Sequence, residues 1–237
     1  ACEFGVTTSD TTVVLFGDSH SAQWFPALEV IAKERGWRLV SLTKSACPSV
    51  DVTVTNSELK RVYTECDTWR AAVIKRINEL KPTAVIMASY PNYEIASGGN
   101  RVELPADSAA VTAWQAGLTK SAQSIAGSGA RVIVLQDTPH AGFNVPDCLV
   151  KYIDRPERCS FDTAKAINSA VVVAEQNALI PVANARYLSM NDAICGSPRC
   201  PSMKDGMIRY EDDSHVAVKY IESLAPELSR RLTGALH

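Results

Sequence analysis

The chain has 237 residues, of which 46% are hydrophobic, so it is long and apolar enough to build an ordinary core. Its 24 basic and 26 acidic residues leave a net charge of −2, which gives no electrostatic signature of nucleic-acid or anionic-membrane binding. No apolar run reaches the roughly 18 residues of a membrane span, and no signal peptide is visible at the N-terminus. We expect residues 1–237 to form a single domain, excised from a longer protein.

Strand and helix patterns alternate along the chain. The predicted strands are residues 12–16, 38–43, 84–88, 131–135 and 180–182. The predicted helices are residues 24–36, 69–80, 107–127 with Asp107 as N-cap, 162–177, and a last helix after His215. Five such units in series predict a doubly wound α/β domain, a three-layer α/β/α sandwich with a five-stranded parallel sheet. Trp24 and Trp114 lie at helical spacing and are assigned to the core.

A serine follows the first predicted strand directly, in Gly17-Asp18-Ser19-His20. Where a strand ends and a helix begins, free backbone N–H groups can hold an oxyanion. In open α/β sheets that edge is also where sites form. Serine needs a base to act as a nucleophile at neutral pH. The alternative is an ordinary Ser or Asp cap on the first helix.

A candidate base lies just before the last predicted helix, in Asp212-Asp213-Ser214-His215. An acid three residues before a histidine can hold the inner ring nitrogen, which leaves the outer nitrogen free to take the serine proton. An Asp-rich helix cap with a chance histidine is the alternative. The motif is weak alone, and its pairing with a strand-end Gly-Asp-Ser is what favours a catalytic triad.

Gly-Asp-Ser after the first strand and Asp-x-x-His before the last helix resemble the SGNH (GDSL-like) hydrolases, whose sandwich is flavodoxin-like. Position 21 is serine, where an α/β-hydrolase elbow would have glycine. The chain is more similar still to the SGNH domain fused after the membrane acyltransferase-3 domain in bacterial surface-sugar O-acyltransferases. Four stretches carry that similarity: Gly17–Trp24, Leu42–Pro48, Asp137–Leu149 and Tyr210–His215.

The resemblance implies roles for these residues. Ser19 would be the nucleophile, His215 the general base and acid, and Asp212 the carboxylate that orients the imidazole. The partner would be the fused membrane acyltransferase-3 domain, which uses acyl-CoA on the cytoplasmic side and passes the acyl group across. The domain would therefore be extracytoplasmic and tethered to the cell membrane, with a cell-envelope glycan as acceptor. No metal or bound cofactor is implied.

The chain departs from the general family pattern around the oxyanion hole. The glycine expected after the second strand is absent from Lys44-Ser45-Ala46, and Asn92 after the third strand has no glycine two residues before it. The Ser19 backbone N–H remains a good donor candidate. The second donor would be the N–H of Ser45 or Ala46, or the Asn92 side chain. Asparagine in a Pro-Asn turn also has local reasons to occur.

Four more residues are candidates for substrate contact. His20 would shape the pocket, or else hydrogen-bond locally at the helix start. His140 lies in a Pro- and Gly-rich loop and is expected at the surface or the pocket rim. Tyr90 and Tyr93 follow the third strand and would stack against a sugar, or else pack within their loop.

The chain has seven cysteines but no C-x-x-C pair, which argues against a zinc site. Six of them could form three bridges, which suggests an oxidising compartment. Buried thiols in a cytosolic enzyme are the alternative. The expected pairs each close a short loop and leave Cys2 unpaired; they are Cys47–Cys66, Cys148–Cys159 and Cys195–Cys200.

We expect ping-pong acyl transfer, in which Ser19 forms an acyl-enzyme and a sugar hydroxyl then takes the acyl group. A hydrolase such as a carbohydrate esterase would use the same triad with water as acceptor, and the residues do not separate the two. A catalytically silent glycan-binding module is the alternative from another class, because the oxyanion-hole glycines are missing.

Overall fold

A six-stranded sheet runs through the centre of the computed structural model, which describes residues 2–97, 100–103 and 108–236. Its strands are β1 (Cys2–Gly5), β2 (Thr12–Gly17), β3 (Arg38–Thr43), β4 (Ala84–Ala88), β5 (Arg131–Leu135) and β6 (Ala185–Leu188). They lie in the order β1-β3-β2-β4-β5-β6. Strands β2 to β6 are parallel, whereas β1 pairs antiparallel with β3 at one edge. The strand order reverses beside β2, and ligands of open α/β sheets bind at such a switch point.

Helices cover both faces of this sheet. They are α1 (Ser19–Ala22), α2 (Phe25–Arg35), α3 (Thr64–Leu80), α4 (Ser108–Ala126), α5 (Val145–Lys151), α6 (Ser169–Leu179), α7 (Asn191–Ile194), α8 (Val218–Ser223) and α9 (Ala225–Leu236), with a 3-10 helix at Pro156–Cys159. Residues alternate between the two faces along β2: Val13 and Leu15 pack with α2, α8 and α9, whereas Val14 and Phe16 pack with α3, α4 and α6. None of the helices described is both long and apolar enough to cross a membrane.

Within the described part of the chain, four short two-stranded antiparallel sheets lie outside the central sheet, in the connecting segments. They pair Thr55–Asn56 with Arg61–Val62, Glu94–Ser97 with Asn100–Glu103, Phe161–Asp162 with Arg199–Cys200, and Met203–Lys204 with Met207–Ile208. The three disulfides are the expected pairs, Cys47–Cys66, Cys148–Cys159 and Cys195–Cys200. Cys2 is exposed and carries a free thiol. Both tryptophans assigned to the core, Trp24 and Trp114, are fully buried.

The predicted α/β sandwich is confirmed, but its sheet has six strands and not five. The additional strand is β1. The expected fifth strand at residues 180–182 is wrong, because this stretch is a turn after α6 in which Ile180 is 80% exposed. Helix α6 begins at Ser169 and not near residue 162, because the Asn168 side chain caps it by accepting a hydrogen bond from the Val171 N–H. The proposed cap Asp107 lies outside the described residues.

Strands β2 and β4 approach each other closely where β2 ends. Gly17 has φ +152°, and a Cβ there would overlap the Ala88 carbonyl oxygen and lie 2.9 Å from the Ser21 Cβ. Glycine is therefore required at this point. The chain turns directly from Gly17 into α1, which places Ser19 at the carboxyl edge of the sheet.

Candidate active site

Ser19 is the first residue of α1, and Asp18 anchors the segment that carries it. The Asp18 carboxylate caps the helix by accepting the His20 backbone N–H at 2.9 Å. Its other oxygen accepts the Tyr90 N–H at 2.9 Å and the Tyr93 hydroxyl at 2.8 Å. Burial of this carboxyl raises the pKa of Asp18 despite these donors. Asp18 thus joins the loop after β2 to the loop after β4.

The histidine side of the site is a tight turn before α8. One Asp212 oxygen accepts the backbone N–H groups of Ser214 at 2.8 Å and His215 at 2.6 Å. Gln23 ties this turn to the serine segment, because its side-chain oxygen accepts the Val216 N–H at 2.9 Å. The two segments lie far apart in sequence and meet through side chains that are themselves hydrogen-bonded to backbone.

Ser19, His215 and Asp212 form one hydrogen-bonded chain. The Ser19 Oγ lies 2.9 Å from His215 Nε2, and His215 Nδ1 lies 2.6 Å from Asp212 Oδ2. Burial opposes ionisation of Asp212, but the N–H groups of the turn and the imidazole outweigh it, so the pKa of Asp212 is lowered. An ionised Asp212 fixes the proton on Nδ1 and leaves Nε2 as an acceptor for the serine proton.

The four oxyanion-hole candidates lie at the same edge of the sheet but are not equivalent. The Ser19 N–H belongs to the first turn of a helix, where N–H groups have no carbonyl partner within the helix. Ser45 is exposed and Ala46 has φ +56°, in the turn that follows β3, whose end pairs with Gly17. The Asn92 amide nitrogen lies 3.3 Å from His140 Nδ1, and its buried oxygen has no hydrogen-bond partner among the described residues.

A second cluster of histidines surrounds Asp137, beside the first. His20 Nδ1 lies 2.6 Å from one oxygen of Asp137, and His140 Nε2 lies 2.6 Å from the other. Burial opposes the ionised carboxyl, but the His20 and His140 rings outweigh it and lower the pKa of Asp137. In the same way burial works against the imidazolium, but Asp137 outweighs it and raises the pKa of His20. We call these three residues the Asp137 array.

The Asp137 array is also the group of described side chains close enough to hold a metal ion, with its candidate ligand atoms within 4.8 Å of one another. One nitrogen of each imidazole, however, already bonds a separate oxygen of the carboxylate at 2.6 Å. The arrangement is that of a closed hydrogen-bonded array, since a metal would have to replace both bonds.

A cleft of about 690 Å³ opens beside these groups. Tyr90 and His140 form part of its wall, with their rings stacked at 5.2 Å and an interplanar angle of 13°. His140 therefore lines the cleft, with 17% of its side chain exposed. Tyr93 is 9% exposed, donates to Asp18 and stacks on the Trp114 ring, so it packs into the core and offers no ring face to a sugar. His20 is 2% exposed, and its side chain makes a long-range contact to Asp137 and not a local one.

Three residues of the site were missed in the sequence: Asp18, Gln23 and Asp137. Asp18 does cap the first helix, which was the alternative considered, but its bonds to Tyr90 and Tyr93 are long-range. Gln23 likewise bonds a backbone group far along the chain, which no local pattern reveals. Asp137 did carry a signal, because Asp137-Thr-Pro-His140 has the same Asp-x-x-His spacing as Asp212 and His215 and begins two residues after a predicted strand ends.

Comparison with solved structures shows the fold. The periplasmic domain of a lipopolysaccharide acetyltransferase from Salmonella ser. Paratyphi A is similar, with 17% identity and a TM-score of 0.70 over 96% of this chain and 85% of that one. TesA matches at 18% identity and a TM-score of 0.45, over 95% of this chain and 98% of its own. A GDSL-like lipase from Bacteroides thetaiotaomicron matches at 12% identity and a TM-score of 0.44, over 94% of this chain and 89% of its own.

A comparison with curated protein sequences finds no match. The model of one protein family, however, matches residues 1–230 and is described as the SGNH domain fused to AT3 domains. That match spans nearly the whole chain and includes both segments of the hydrogen-bonded site. The chain therefore belongs to the family of SGNH domains that are fused to AT3 domains.

Proposed function

We propose that this chain catalyses serine-dependent acyl transfer to a hydroxyl group of a cell-envelope glycan, on the extracytoplasmic side of the membrane and in partnership with a membrane AT3 domain. The observation that carries the proposal is the hydrogen-bonded chain from Ser19 through His215 to Asp212, at 2.9 Å and 2.6 Å. A nucleophile, a base and an orienting carboxylate in that order are the parts that acyl transfer through serine requires.

In the first half of the reaction, the Ser19 Oγ attacks the acyl carbonyl carbon while His215 Nε2 takes the serine proton. The bond to the leaving group breaks, and His215 returns that proton to it. In the second half, an acceptor hydroxyl attacks the acyl carbon as His215 takes its proton. The ester bond to Ser19 then breaks and the proton returns to Oγ. The Ser19 N–H, with Ser45, Ala46 or Asn92, would hold the oxyanion in both halves.

The acceptor would enter through the cleft of about 690 Å³ that reaches the loop of Asp213 and Ser214. Its walls carry side-chain amides at Asn92 and Asn168 together with the half-buried Tyr90 ring. Side-chain amides beside an aromatic ring suit the hydroxyls and apolar face of a sugar.

The acyl donor would come from the AT3 domain, which in the intact protein would draw on acyl-CoA across the membrane. Fusion to AT3 domains is part of the family description. The sequence has no Gly-rich phosphate-binding loop of the kind that holds a nucleotide. The three disulfides support an oxidising compartment, where acyl-CoA is not available.

Intact-mass spectrometry after exposure to p-nitrophenyl acetate tests the proposal. We expect an acetyl adduct that peptide mapping places on Ser19, and its transfer to a bacterial cell-envelope polysaccharide added in a second step. Ser19→Ala should abolish adduct and turnover while the fold persists, because Ser19 is only half-buried and lies at a helix start. Calorimetry should show no saturable binding of acetyl-CoA to this chain.

The matched control is Ser128→Ala, which removes another hydroxyl near the opposite edge of the sheet, just before β5. It should form the adduct as the wild type does. An adduct that survives Ser19→Ala would contradict the triad. Discharge to water alone, even with polysaccharide present, would instead identify an esterase, and no adduct under any condition would identify a silent binding module.

A further inference from the structure

We propose that the Asp137 array, formed by His20, Asp137 and His140, is a positioning device for the triad base and for the Asn92 amide. The inference rests on the proposed function, because it assigns residues that act on the acyl-transfer site through others. The array lies outside the Ser19–His215–Asp212 chain, yet it touches that chain at one end and an oxyanion-hole candidate at the other.

The first contact is made by the His20 ring. Its centroid lies 4.5 Å from that of His215, with the planes inclined at 49°. Hydrogen bonds hold His215 at both ring nitrogens, but they leave the ring free to rock about the line that joins them. A buried ring against one face restricts that motion. His20 can do this because its backbone N–H is bound by Asp18 and its Nδ1 by Asp137.

The second contact is made by His140. His140 Nε2 lies against Asp137, and a ring whose proton is on Nε2 presents a lone pair at Nδ1. That lone pair faces the Asn92 amide nitrogen at 3.3 Å, so the tautomer fixed by Asp137 decides which way the amide is oriented. Tyr90 stacks on the His140 ring at 5.2 Å and covers it. The general family supports its oxyanion hole with glycines that this chain lacks, and here side chains would take that part.

Asp137 joins three loops at the carboxyl edge of the sheet. It follows β5 and bonds a residue after β2, His20, and one from its own loop that reaches Asn92 after β4. Its backbone carbonyl accepts the Asn191 side-chain N–H at 2.9 Å, which fixes it from the side of β6. A carboxylate that uses both oxygens in this way leaves little freedom to either imidazole.

Several titratable groups surround the Asp137 array. The titratable groups that act on His20 or pack against it come from several elements; they are Asp18, Tyr90, Asp137, His140, Asp212 and His215. The lowered pKa of Asp137 keeps it ionised, so both histidines retain an acceptor throughout the pH range of the reaction.

The test compares variants that keep or remove each bond. Asp137→Asn replaces one acceptor with a donor, and His140→Leu removes the bond to Asp137. We expect each to lower kcat for p-nitrophenyl acetate by about 10-fold to 100-fold while KM stays within about 2-fold, as for a displaced catalytic group. In both variants the pH dependence of kcat/KM should also differ from that of the wild type. His140→Gln, whose amide can donate from the position of Nε2, should restore most of the activity.

One further variant tests the contact of the His20 ring, and another serves as the control. His20→Asn keeps a donor for Asp137 but removes the ring from His215, so kcat should fall as in His140→Leu. Glu227→Gln is the matched control, because this carboxylate bonds Arg230 and Arg231 on α9, outside the site. It should leave kcat and the pH profile unchanged.

The inference is overturned if folded His140→Leu keeps the wild-type kcat and pH profile, or if His140→Gln is as impaired as His140→Leu. His140 is partly exposed, so its variants decide the matter even if Asp137→Asn fails to fold. Ser19→Ala is assayed in parallel. If it abolishes turnover while the array variants are all active, the acyl-transfer proposal stands and the array inference falls. If wild type forms no Ser19 adduct at all, the proposed function has failed first.

Discussion

At the scale of single residues, Glu175 is a buried carboxyl group that the mechanism does not use. It lies on α6, is 6% exposed, and accepts hydrogen bonds from Trp114 Nε1 at 3.1 Å and from the Tyr187 hydroxyl at 2.9 Å. Both partners are neutral and do not compensate a negative charge. Burial raises the pKa of Glu175 to about 7.

This raised pKa predicts that the protein loses stability as pH rises. The folded state holds the Glu175 proton up to pH about 7, whereas an unfolded glutamate releases it near its ordinary pKa of 4.5. The stabilising contribution is therefore fully present below pH 4.5 and is lost by about pH 7, an effect of about 2 to 3 kcal/mol between pH 5 and pH 8. Glu175→Gln, which cannot ionise, should gain about that much relative to wild type over this interval.

Urea denaturation at pH 5 and pH 8 measures the two free energies of unfolding. Glu222→Gln is the control, because it removes an exposed carboxyl of α8 and should track the wild type at both pH values. A constant difference between wild type and Glu175→Gln would show that the carboxyl is ionised throughout or never titrates with folding.

At the scale of elements, the junction of β2 and α1 is where the fold constrains the site most tightly. Gly17→Ala would place a methyl group on the Ala88 carbonyl, so β2 and β4 would have to separate. We expect a loss of at least about 2 kcal/mol in the free energy of unfolding and a fall in kcat, because Ser19 is two residues away.

Gly36→Ala is the matched control for that prediction. Gly36 closes α2 with φ +68°, but no atom lies within 4 Å of a Cβ built there. Its substitution should cost about 1 kcal/mol of left-handed backbone strain and leave kcat unchanged. Equal losses in the two variants would show that backbone conformation, and not the contact with β4, sets the requirement for Gly17.

Elements differ in how far their sequence predicts them, and the reason is burial. Strands β2 and β4 are buried at every position, so each is a plain apolar run. In β1, Cys2 and Glu3 are exposed, and no apolar pattern marks it. In β6, only the end residues Ala185 and Leu188 are buried, so the apolar Ile-Pro-Val stretch just before it gave the stronger, misleading signal.

The same distinction holds for the site. Ser19 and the Asp212–His215 turn lie in short motifs whose residue types and spacing indicate their chemistry. His20 and Asp137, by contrast, are 117 residues apart in sequence, and neither local sequence indicates that the two side chains bond each other. Contacts of that kind follow from the strand order, which places the loops after β2, β4 and β5 side by side.

At the scale of the whole molecule, the disulfides reinforce loops and helix ends around the sheet. Cys47–Cys66 joins the turn after β3 to α3 across 19 residues, Cys148–Cys159 ties α5 to the 3-10 helix across 11, and Cys195–Cys200 closes 5. The first of these bridges holds the turn that carries Ser45 and Ala46.

Loop length predicts the order of their contributions to stability. Replacing both cysteines of a pair with alanine should cost about 3 kcal/mol for Cys47–Cys66, slightly less for Cys148–Cys159 and about 2 kcal/mol for Cys195–Cys200, by loop-closure entropy. Urea denaturation of the three double variants measures this order. The largest loss at Cys195–Cys200 would show that local packing, and not chain entropy, dominates.

The hydrogen bond between Ser19 and His215 joins residues 196 positions apart. A ribosome delivers the first of them early and the second almost at the end of this stretch, so a partly synthesised chain has a nucleophile without a base. We expect such a chain to take up no acyl group before the turn that carries His215 docks against Gln23. The onset of ester turnover during refolding therefore reports when folding is complete. Turnover should begin only after most of the secondary structure has formed.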